Sequence, residues 1–207
     1  MKKTKMMHFA LIVGIIAIVA MIGFGFTACG GDDGTGGCDE ECLAIGETGE
    51  GGGIIFYHKH SGFTVTGTDS FTAYYLEAAP FQGQYIWTWA SSDFEETDIP
   101  GTKTAIGTGK NNTALILASD PAAPAAKECA DYENGGKSDW FLPSKDELYE
   151  MFKARNHFDN LVEVNIWSSS QSNYEGGAYC MYFKQVGGEQ IGPAKGCELH
   201  VCAIRAF

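Results

Sequence analysis

The stretch "SDWFLPSKDEL", residues 138–148, decides the fold of this chain. Its apolar half, "DWFL", predicts a short strand that enters the core, and Pro143 ends that strand because proline cannot donate to a sheet ladder. Ser144 and Glu147 have the spacing of a capping box, which predicts a helix that begins here. Three apolar residues follow at the spacing of one helix face: Leu148, Met151 and Phe152. The stretch is therefore a strand-to-helix corner, and its purpose is architectural.

On the C-terminal side of this corner the chain has the composition of strands. The segments "NIWSSSQ", "GAYCMYFKQV", "GGEQIG" and "CELHVCAIRAF" predict a closing antiparallel sheet whose last strand reaches the C-terminus. On the N-terminal side, "NNTALILAS" and "APAAKECADYENGG" predict two short helices, the second running from near Pro124 to Gly135. Because strands flank central helices, we predict an α+β domain.

The first strands are predicted from β-branched and aromatic residues. "GGGIIFYHKHSGFTVTG" predicts a hairpin with strands at residues 54–58 and 63–66 around an "HSG" turn, and "AYYLEAAP" predicts a further strand. His58 and His60 have the i, i+2 spacing that places two side chains on one face of a strand. We interpret them as polar side chains at the end of a hairpin that bind nothing. A metal-binding pair is the alternative.

Residues 81–110 are rich in Gly, Thr, Ser and Trp and have no clear periodicity. They predict a long surface loop. Since loops often carry binding residues, Trp87 and Trp89 are the candidates for ligand contact.

The N-terminus, "MKKTKMMHFALIVGIIAIVAMIGFGFTAC", has the three parts of an export signal: a lysine-rich start, a long apolar run, and small residues before Cys29. The small pair directly before a cysteine resembles the lipobox of bacterial lipoproteins, with Phe26 where leucine is usual. We therefore predict a lipoprotein signal peptide at residues 1–28, with Cys29 as the lipid-bearing residue that anchors the protein to a bilayer. The alternative is a transmembrane anchor that is not cleaved.

Charge limits the partners of the mature protein. The chain has 14 basic and 26 acidic residues, and loss of the three lysines of the signal leaves 11 against 26, a net charge of −15. Such a surface repels phosphate backbones, so we expect no nucleic-acid partner and no polyanionic ligand. Residues 29–50 are glycine-rich and acidic, which predicts a flexible linker before a domain at residues 51–207.

Several of these motifs occur in an order that resembles one known family. "WFLPSKDEL" is followed by "IWSSS", by the aromatic strand "AYCMYF" and by the terminal "AIRAF". Upstream, "GGIIFYHKHSGFTVTG", "YLEAAP" and "AIGTGKNNTALIL" fit the same pattern. Together they resemble the Lcl C-terminal domain family, named for a bacterial collagen-like adhesin and found also in exported bacterial lipoproteins. The resemblance covers residues 51–207.

The resemblance implies a compact α+β domain similar to C-type lectins, with an antiparallel sheet and two or three helices. It also implies similarity to the fold of formylglycine-generating enzymes. The positions that carry it are Trp140, Leu142, Pro143, Ser144, Glu147, Leu148, Trp167, Ser168, Ser169, Ser170 and Arg205. We interpret them as core and capping residues, and we expect Arg205 to pair with a carboxylate such as Glu147 or to bond strand carbonyls.

Two features suggest a catalytic or metal-binding function instead. The run "WSSSQ" lacks the glycine elbow of a serine nucleophile, so structural hydroxyls are the better interpretation. Formylglycine-generating enzymes carry two copper-binding cysteines separated by four residues near the C-terminus, and Cys197 and Cys202 reproduce that spacing with His200 between them. Thiolates and imidazole suit copper, although residues five apart on a regular strand face opposite sides. A copper-dependent enzyme is therefore the alternative to a binding module.

The remaining cysteines favour disulfides. Six are left after Cys29, an even number in an exported chain: Cys38, Cys42, Cys129, Cys180, Cys197 and Cys202. Cys38 and Cys42, in "CDEEC", form either a local or tethering disulfide or a metal site. We expect at least one of the last three cysteines to be bridged.

The sequence thus predicts a membrane-anchored, non-enzymatic binding or adhesion module of lectin-like fold in the bacterial cell envelope, facing the periplasm or the cell exterior. We predict no catalytic residue, no cofactor and no metal. The adhesin role is implied by the resemblance, and the expected ligand is a glycan or a protein. The founding adhesin implies sulfated glycans, which a net charge of −15 does not suit. A structural envelope protein without a ligand is the further alternative.

Overall fold

The computed structural model describes residues 42–81, 83 and 85–207. They form a mixed α+β fold, as the sequence predicts. Its α-helices are α1 (Gly109–Ser119), α2 (Pro124–Ala130) and α3 (Lys145–Lys153), followed by a 3-10 turn at Arg155–His157. Its strands are β1 (Ile54–Val65), β2 (Phe71–Ala78), β3 (Ile86–Trp87), β4 (Val164–Gln171), β5 (Ala178–Phe183), β6 (Gly188–Ile191), β7 (Leu199–His200) and β8 (Ile204–Ala206). No helix among the described residues is long and apolar enough to span a bilayer.

The strands divide between two sheets. One has the order β1-β2-β8, and the other has the order β3-β7-β4-β5-β6. All pairings are antiparallel except that of β4 with β7. The C-terminal segment was predicted to close one sheet, and this is wrong: β7 lies in the larger sheet and β8 in the smaller. The chain crosses between them at residues 201–203, where the Ala79 N–H donates to the Ala203 carbonyl at 2.9 Å.

The predicted hairpin at residues 54–66 is also wrong. The segment is one strand, β1, which pairs along its length with β2 from Ile54 opposite Ala78 to Val65 opposite Phe71. The "HSG" sequence forms an irregularity inside this strand, with Gly62 at φ +69°. The strand continues past it because Phe63 and Val65 enter the same core as the residues before the irregularity.

The ordered fold begins before residue 51, earlier than the predicted end of the linker. The Gly46 N–H donates to the Ile55 carbonyl, and the Ile55 N–H donates to the Glu47 carbonyl, each at 2.8 Å. Residues 46 and 47 are therefore hydrogen-bonded to the start of β1. The glycine-rich composition did not reveal this contact, because it is made by backbone groups.

Of the predicted strand-to-helix corner, the helix is confirmed and the strand is not. The Glu147 N–H donates to the Ser144 hydroxyl at 3.3 Å and the Ser144 N–H donates to the Glu147 carboxylate at 2.7 Å, which completes the capping box. "DWFL" joins a sheet only at Phe141, which exchanges two 2.9 Å backbone hydrogen bonds with Ile204. The helical residues predicted to face the core are all buried: Leu148, Met151 and Phe152. The helix predicted to reach Gly135 ends at Ala130.

Glu147 is fully buried and does more than cap α3. Its carboxylate also accepts the Gly107 N–H at 2.8 Å and a hydrogen bond from the Gly109 N–H at the start of α1. The side chain therefore joins the N-terminal ends of α1 and α3. Burial raises the pKa of this carboxyl to about 7, against the lowering effect of the backbone donors.

We expect the contribution of Glu147 to the free energy of unfolding to fall as the pH rises. The folded state holds the proton more tightly than the unfolded chain, so this contribution is fully present below the unfolded pKa and is lost as the pH passes the folded pKa. A pKa raised from 4.5 to about 7 corresponds to about 3 kcal/mol. Urea unfolding of the wild type and of Glu147→Gln, which does not titrate at this position, measures the effect at about pH 5 and about pH 8. A wild-type advantage that grows toward high pH would contradict it.

Arg205 ties the C-terminal strand to the rest of the fold, but not through Glu147 as predicted. Its guanidinium donates to the Glu77 carboxylate at 3.0 Å and to the Asp139 carboxylate at 2.6 Å. A third carboxylate, that of Glu50, lies 3.6 Å away. Glu77 is fully buried and also accepts the Gly51 and Gly53 N–H groups at 2.8 and 3.0 Å. Arg205 is thus the cation that compensates a buried carboxylate.

The serine run has a structural role, as interpreted from the sequence. Ser168, Ser169 and Ser170 are buried. The Ser168 hydroxyl donates to the Tyr179 carbonyl at 2.8 Å and the Ser170 hydroxyl donates to the Lys103 carbonyl at 2.7 Å. Ser169 accepts the Asn112 side-chain amide at 3.2 Å. These hydroxyls join β4 to β5, to the loop before α1 and to α1 itself.

Candidate ligand-binding cleft

The described residues between β2 and α1 are mostly loop, as the sequence predicts, but the part around Trp87 and Trp89 is held against the larger sheet. It contains β3, which pairs with β7 through Ile86 opposite His200 and Trp87 opposite Leu199. Trp89 is 0% exposed, and its indole N–H donates to the Ser168 carbonyl at 2.8 Å. Trp89 is therefore a core residue and not a ligand contact, whereas Trp87 is 40% exposed.

Trp87 belongs to an exposed apolar strip that also contains Tyr85 and Ile86. Ile86 and Trp87 form β3 at the edge of the five-stranded sheet, and Tyr85 directly precedes that strand. Backbone contacts hold it in place, since the Val201 N–H donates to the Tyr85 carbonyl at 3.1 Å and the Trp167 indole donates to the Trp87 carbonyl at 2.9 Å. Side chains alternate along a strand, so Tyr85 and Trp87 lie on the same face.

A small cleft, which we call the aromatic cleft, lies beside the strip on the side of Tyr85. Its volume is about 30 Å³, room for about two water molecules. Three parts of the chain line it: the connection between β2 and β3, the end of α2 with the residues that follow it, and the connection between β7 and β8. The lining residues are Ala79, Pro80, Phe81, Tyr85, Glu128, Cys129, Tyr132, Val201, Cys202 and Ala203.

The aromatic rings around the cleft are fixed by packing. Tyr132 contacts the Trp140 ring edge to face, with centroids 5.1 Å apart. His200 contacts Phe81 in the same geometry at 5.6 Å. Burial raises the pKa of Tyr132 and lowers the pKa of His200, so the phenol stays protonated and the imidazole is held neutral near pH 7. The cleft therefore presents apolar faces with phenol and carboxylate groups and no cation.

Cys129 and Cys202 both line the cleft and are both buried. Burial raises the pKa of each thiol, to about 12 for Cys202, so neither is a reactive thiolate at neutral pH. The Cys202 thiol lies 3.6 Å from the Ala79 carbonyl. These thiols pack as small apolar groups, and the structure shows no disulfide among the described cysteines.

The residues that the sequence suggests for metal binding do not lie together at one site. Cys197 is exposed whereas Cys202 is buried. His58 stacks on the Tyr75 ring at 4.5 Å, and the His58 and His60 rings are 6.4 Å apart. No group of three or more His, Cys, Asp or Glu side chains that could hold a metal ion occurs in the part of the chain that the structure describes. Cys29 and Cys38 lie outside the described residues.

Sequence reasoning missed Tyr85, Glu128 and Tyr132. Tyr85 had a local signal, because apolar residues are continuous in "YIW" and such a run is typical of a strand. Glu128 and Tyr132 gave none, since only the fold brings the end of α2 next to β3. No family model matches this chain, and no curated protein is similar enough to it to match.

Proposed function

We propose that this protein is a lipid-anchored binding module of the bacterial envelope, with a C-type lectin-like fold and its ligand surface at the aromatic cleft and the adjoining strip Tyr85–Trp87. The observation that carries the proposal is the exposure of Tyr85 and Trp87 on one face of the chain at an edge strand, next to the cleft. Exposed apolar groups that are contiguous and rigidly held are typical of binding sites. The resemblance to the Lcl C-terminal domain family supports the same function.

The chemistry of this surface favours an uncharged glycan. Flat indole and phenol rings offer large contact area to the apolar face of a sugar ring, and phenol hydroxyls at their tips hydrogen-bond to sugar hydroxyls. Glu128 adds an acceptor at the cleft. The excess of acidic residues disfavours sulfated and phosphorylated ligands.

The lectin-like fold is supported by the features that carry the family resemblance. Trp140, Leu142 and Trp167 are buried, and the capping box of α3 and the serine run make the contacts described above. The mixed α+β class fits the resemblance as well. All of these positions have architectural roles, and the exposed edge strand and turns remain to carry the ligand surface.

The anchor rests on Cys29. Replacing Cys29 with Ser should abolish metabolic fatty-acid labelling and move the protein from the membrane to the soluble fraction, because the acyl chains supply the bilayer affinity. Cys42→Ser is the matched control and should leave labelling and fractionation unchanged. Labelling that survives in Cys29→Ser would contradict lipidation at this residue.

We propose that oxidation joins Cys129 to Cys202 before folding buries their thiols, since both residues line the same cleft. An exported chain meets thiol oxidants that remove the two hydrogens of such a pair. Mass spectrometry of peptides prepared without reduction, with free thiols blocked first, should find the peptides of Cys129 and Cys202 linked. Both thiols blocked and unlinked in protein isolated from the envelope would contradict this pairing.

The function is tested by a ligand screen on the full chain in mild detergent. We expect retention on at least one uncharged polysaccharide, with no effect of a chelator, and no retention on heparin above about 0.15 M salt, where exposed charges are screened beyond about 8 Å. Retention on heparin alone would contradict the proposal. Failure to bind any glycan or protein probe would favour a structural protein without a ligand.

A further inference from the structure

Lys195 is a buried lysine in an unusual environment. It lies in the connection between β6 and β7 and is 0% exposed. Its ammonium group sits 5.0 Å from the centre of the Trp89 ring, inside the core. Lysine is almost never fully buried without an ion-pair partner. The groups that contact Lys195 therefore determine whether its amine is held charged or neutral.

The contacts of Lys195 are neutral. Its Nζ lies 2.5 Å from the Thr97 carbonyl oxygen and 3.1 Å from Oε1 of Gln171. No carboxylate of the described residues lies within 4.0 Å of it. Burial lowers the pKa of Lys195, and Asp98 and Glu96, at longer range, only partly oppose this. The neutral amine, which is the nucleophilic form, is correspondingly favoured.

Both polar atoms of the Gln171 side-chain amide are hydrogen-bonded. Its Oε1 accepts the Ile99 N–H at 2.7 Å in addition to Lys195. Its Nε2 donates to Oδ1 of Asp98 at 2.5 Å. A backbone donor at the carbonyl oxygen stabilises negative charge that develops there during attack on the carbonyl carbon. The Asp98 carboxylate, which accepts from Nε2, orients the leaving nitrogen.

We propose that Lys195 and Gln171 form an intramolecular amide cross-link. The pair is brought together by the fold, since Nζ donates to the carbonyl oxygen of the amide whose carbon it attacks. The Ile99 N–H binds the oxygen and Asp98 binds the nitrogen, so a charge-stabilising donor and a group that orients the leaving nitrogen flank the reacting carbon. The proposal is independent of the ligand at the aromatic cleft.

The reaction balances without an oxidant or a co-reactant. A new bond forms between Lys195 Nζ and Gln171 Cδ, and the bond between Cδ and Nε2 breaks. The proton that Nζ loses ends on Nε2, which leaves as ammonia, and Asp98 orients that leaving nitrogen through its hydrogen bond from Nε2. The product is a neutral amide, which removes the unpaired buried amine and retains the carbonyl oxygen for the Ile99 N–H.

The cross-link would join the end of β4 to the connection after β6, residues that are 24 positions apart. It would close a covalent loop around β5 and β6, including the exposed edge strand of the larger sheet. An anchored module that works outside the cytoplasm gains resistance to unfolding and proteolysis from such a loop.

Tryptic mapping of the full chain tests the proposal after complete reduction and alkylation, which removes any disulfide. Acylated Lys195 resists trypsin, so we expect a branched product in which residues 156–184 are joined to residues 185–205, lighter than their sum by one ammonia and with no cut after Lys195. Recovery of residues 185–195 as a free peptide, with Gln171 unmodified, would overturn the proposal.

Two variants separate the cross-link from other modifications. Lys195→Met should give residues 156–184 as a linear peptide of unchanged mass. Asp98→Asn keeps both reacting groups and should slow or abolish formation of the branched product, whereas Glu96→Gln is the matched control and should not. A branched product that persists in Lys195→Met would show a link at another residue and would contradict the assignment.

Discussion

Arg205→Met should lower the free energy of unfolding by about 3–5 kcal/mol, because it leaves the Glu77 carboxylate buried without its cation. Arg205 donates to Glu77 at 3.0 Å and to Asp139 at 2.6 Å. Glu77 keeps its backbone donors in the variant, but those donors do not neutralise its charge. Methionine preserves much of the side-chain volume, so the loss reports the charge and its hydrogen bonds. Urea unfolding followed by circular dichroism measures it.

Lys137→Met is the matched control for this change. Lys137 also pairs with a carboxylate of the same region, since its Nζ lies 3.1 Å from Glu50, but both side chains are partly exposed. We expect the control to cost less than about 1 kcal/mol, because exposed ion pairs contribute little. Equal losses of unfolding free energy in the two variants would show that Arg205 contributes no more than an exposed ion pair, which would contradict its role in compensating the buried Glu77 carboxylate.

Trp89→Ala should cost about 3–5 kcal/mol, the range for removing a large aromatic side chain from a packed core. Trp89 is fully buried, and the change also leaves the Ser168 carbonyl without its 2.8 Å indole donor. Thermal unfolding of the variant measures the loss. Melting at the wild-type temperature would contradict the core position of Trp89.

Trp87→Ala is the comparison within the same segment. Trp87 is 40% exposed and its backbone carbonyl, not its ring, accepts the hydrogen bond from Trp167. We expect a cost below about 1 kcal/mol, as for surface positions in general. The two tryptophans, which the sequence ranked together as ligand contacts, should therefore separate by several kcal/mol in stability.

The strand-to-helix corner was predictable because its information is local. Ser144 and Glu147 are three residues apart, and the two hydrogen bonds that they exchange need no other part of the chain. The buried face of α3 follows from the spacing of its own apolar residues. The α+β class could be predicted for the same reason, since it rests on the pattern within each segment.

What could not be predicted depends on contacts between distant residues. The carboxylate that pairs with Arg205 is Glu77, 128 positions away, and no pattern near either residue indicates this. The burial of Trp89 comes from β4, whose Ser168 is 79 positions away. The aromatic cleft combines three separate segments. A single sequence offers candidate residues for such a site but not their arrangement.

The central claim is that the aromatic cleft and the strip Tyr85–Trp87 bind the ligand. The most direct test is the affinity of Trp87→Ala for the uncharged polysaccharide that the wild type retains most strongly. Tyr149→Ala is the control, because Tyr149 on α3 is exposed to a similar extent, 45% against 40% for Trp87, and belongs neither to the strip nor to the cleft. The account predicts a loss of about tenfold or more for Trp87→Ala, equivalent to about 1.4 kcal/mol, and a change below about twofold for Tyr149→Ala. Wild-type affinity in Trp87→Ala would contradict it.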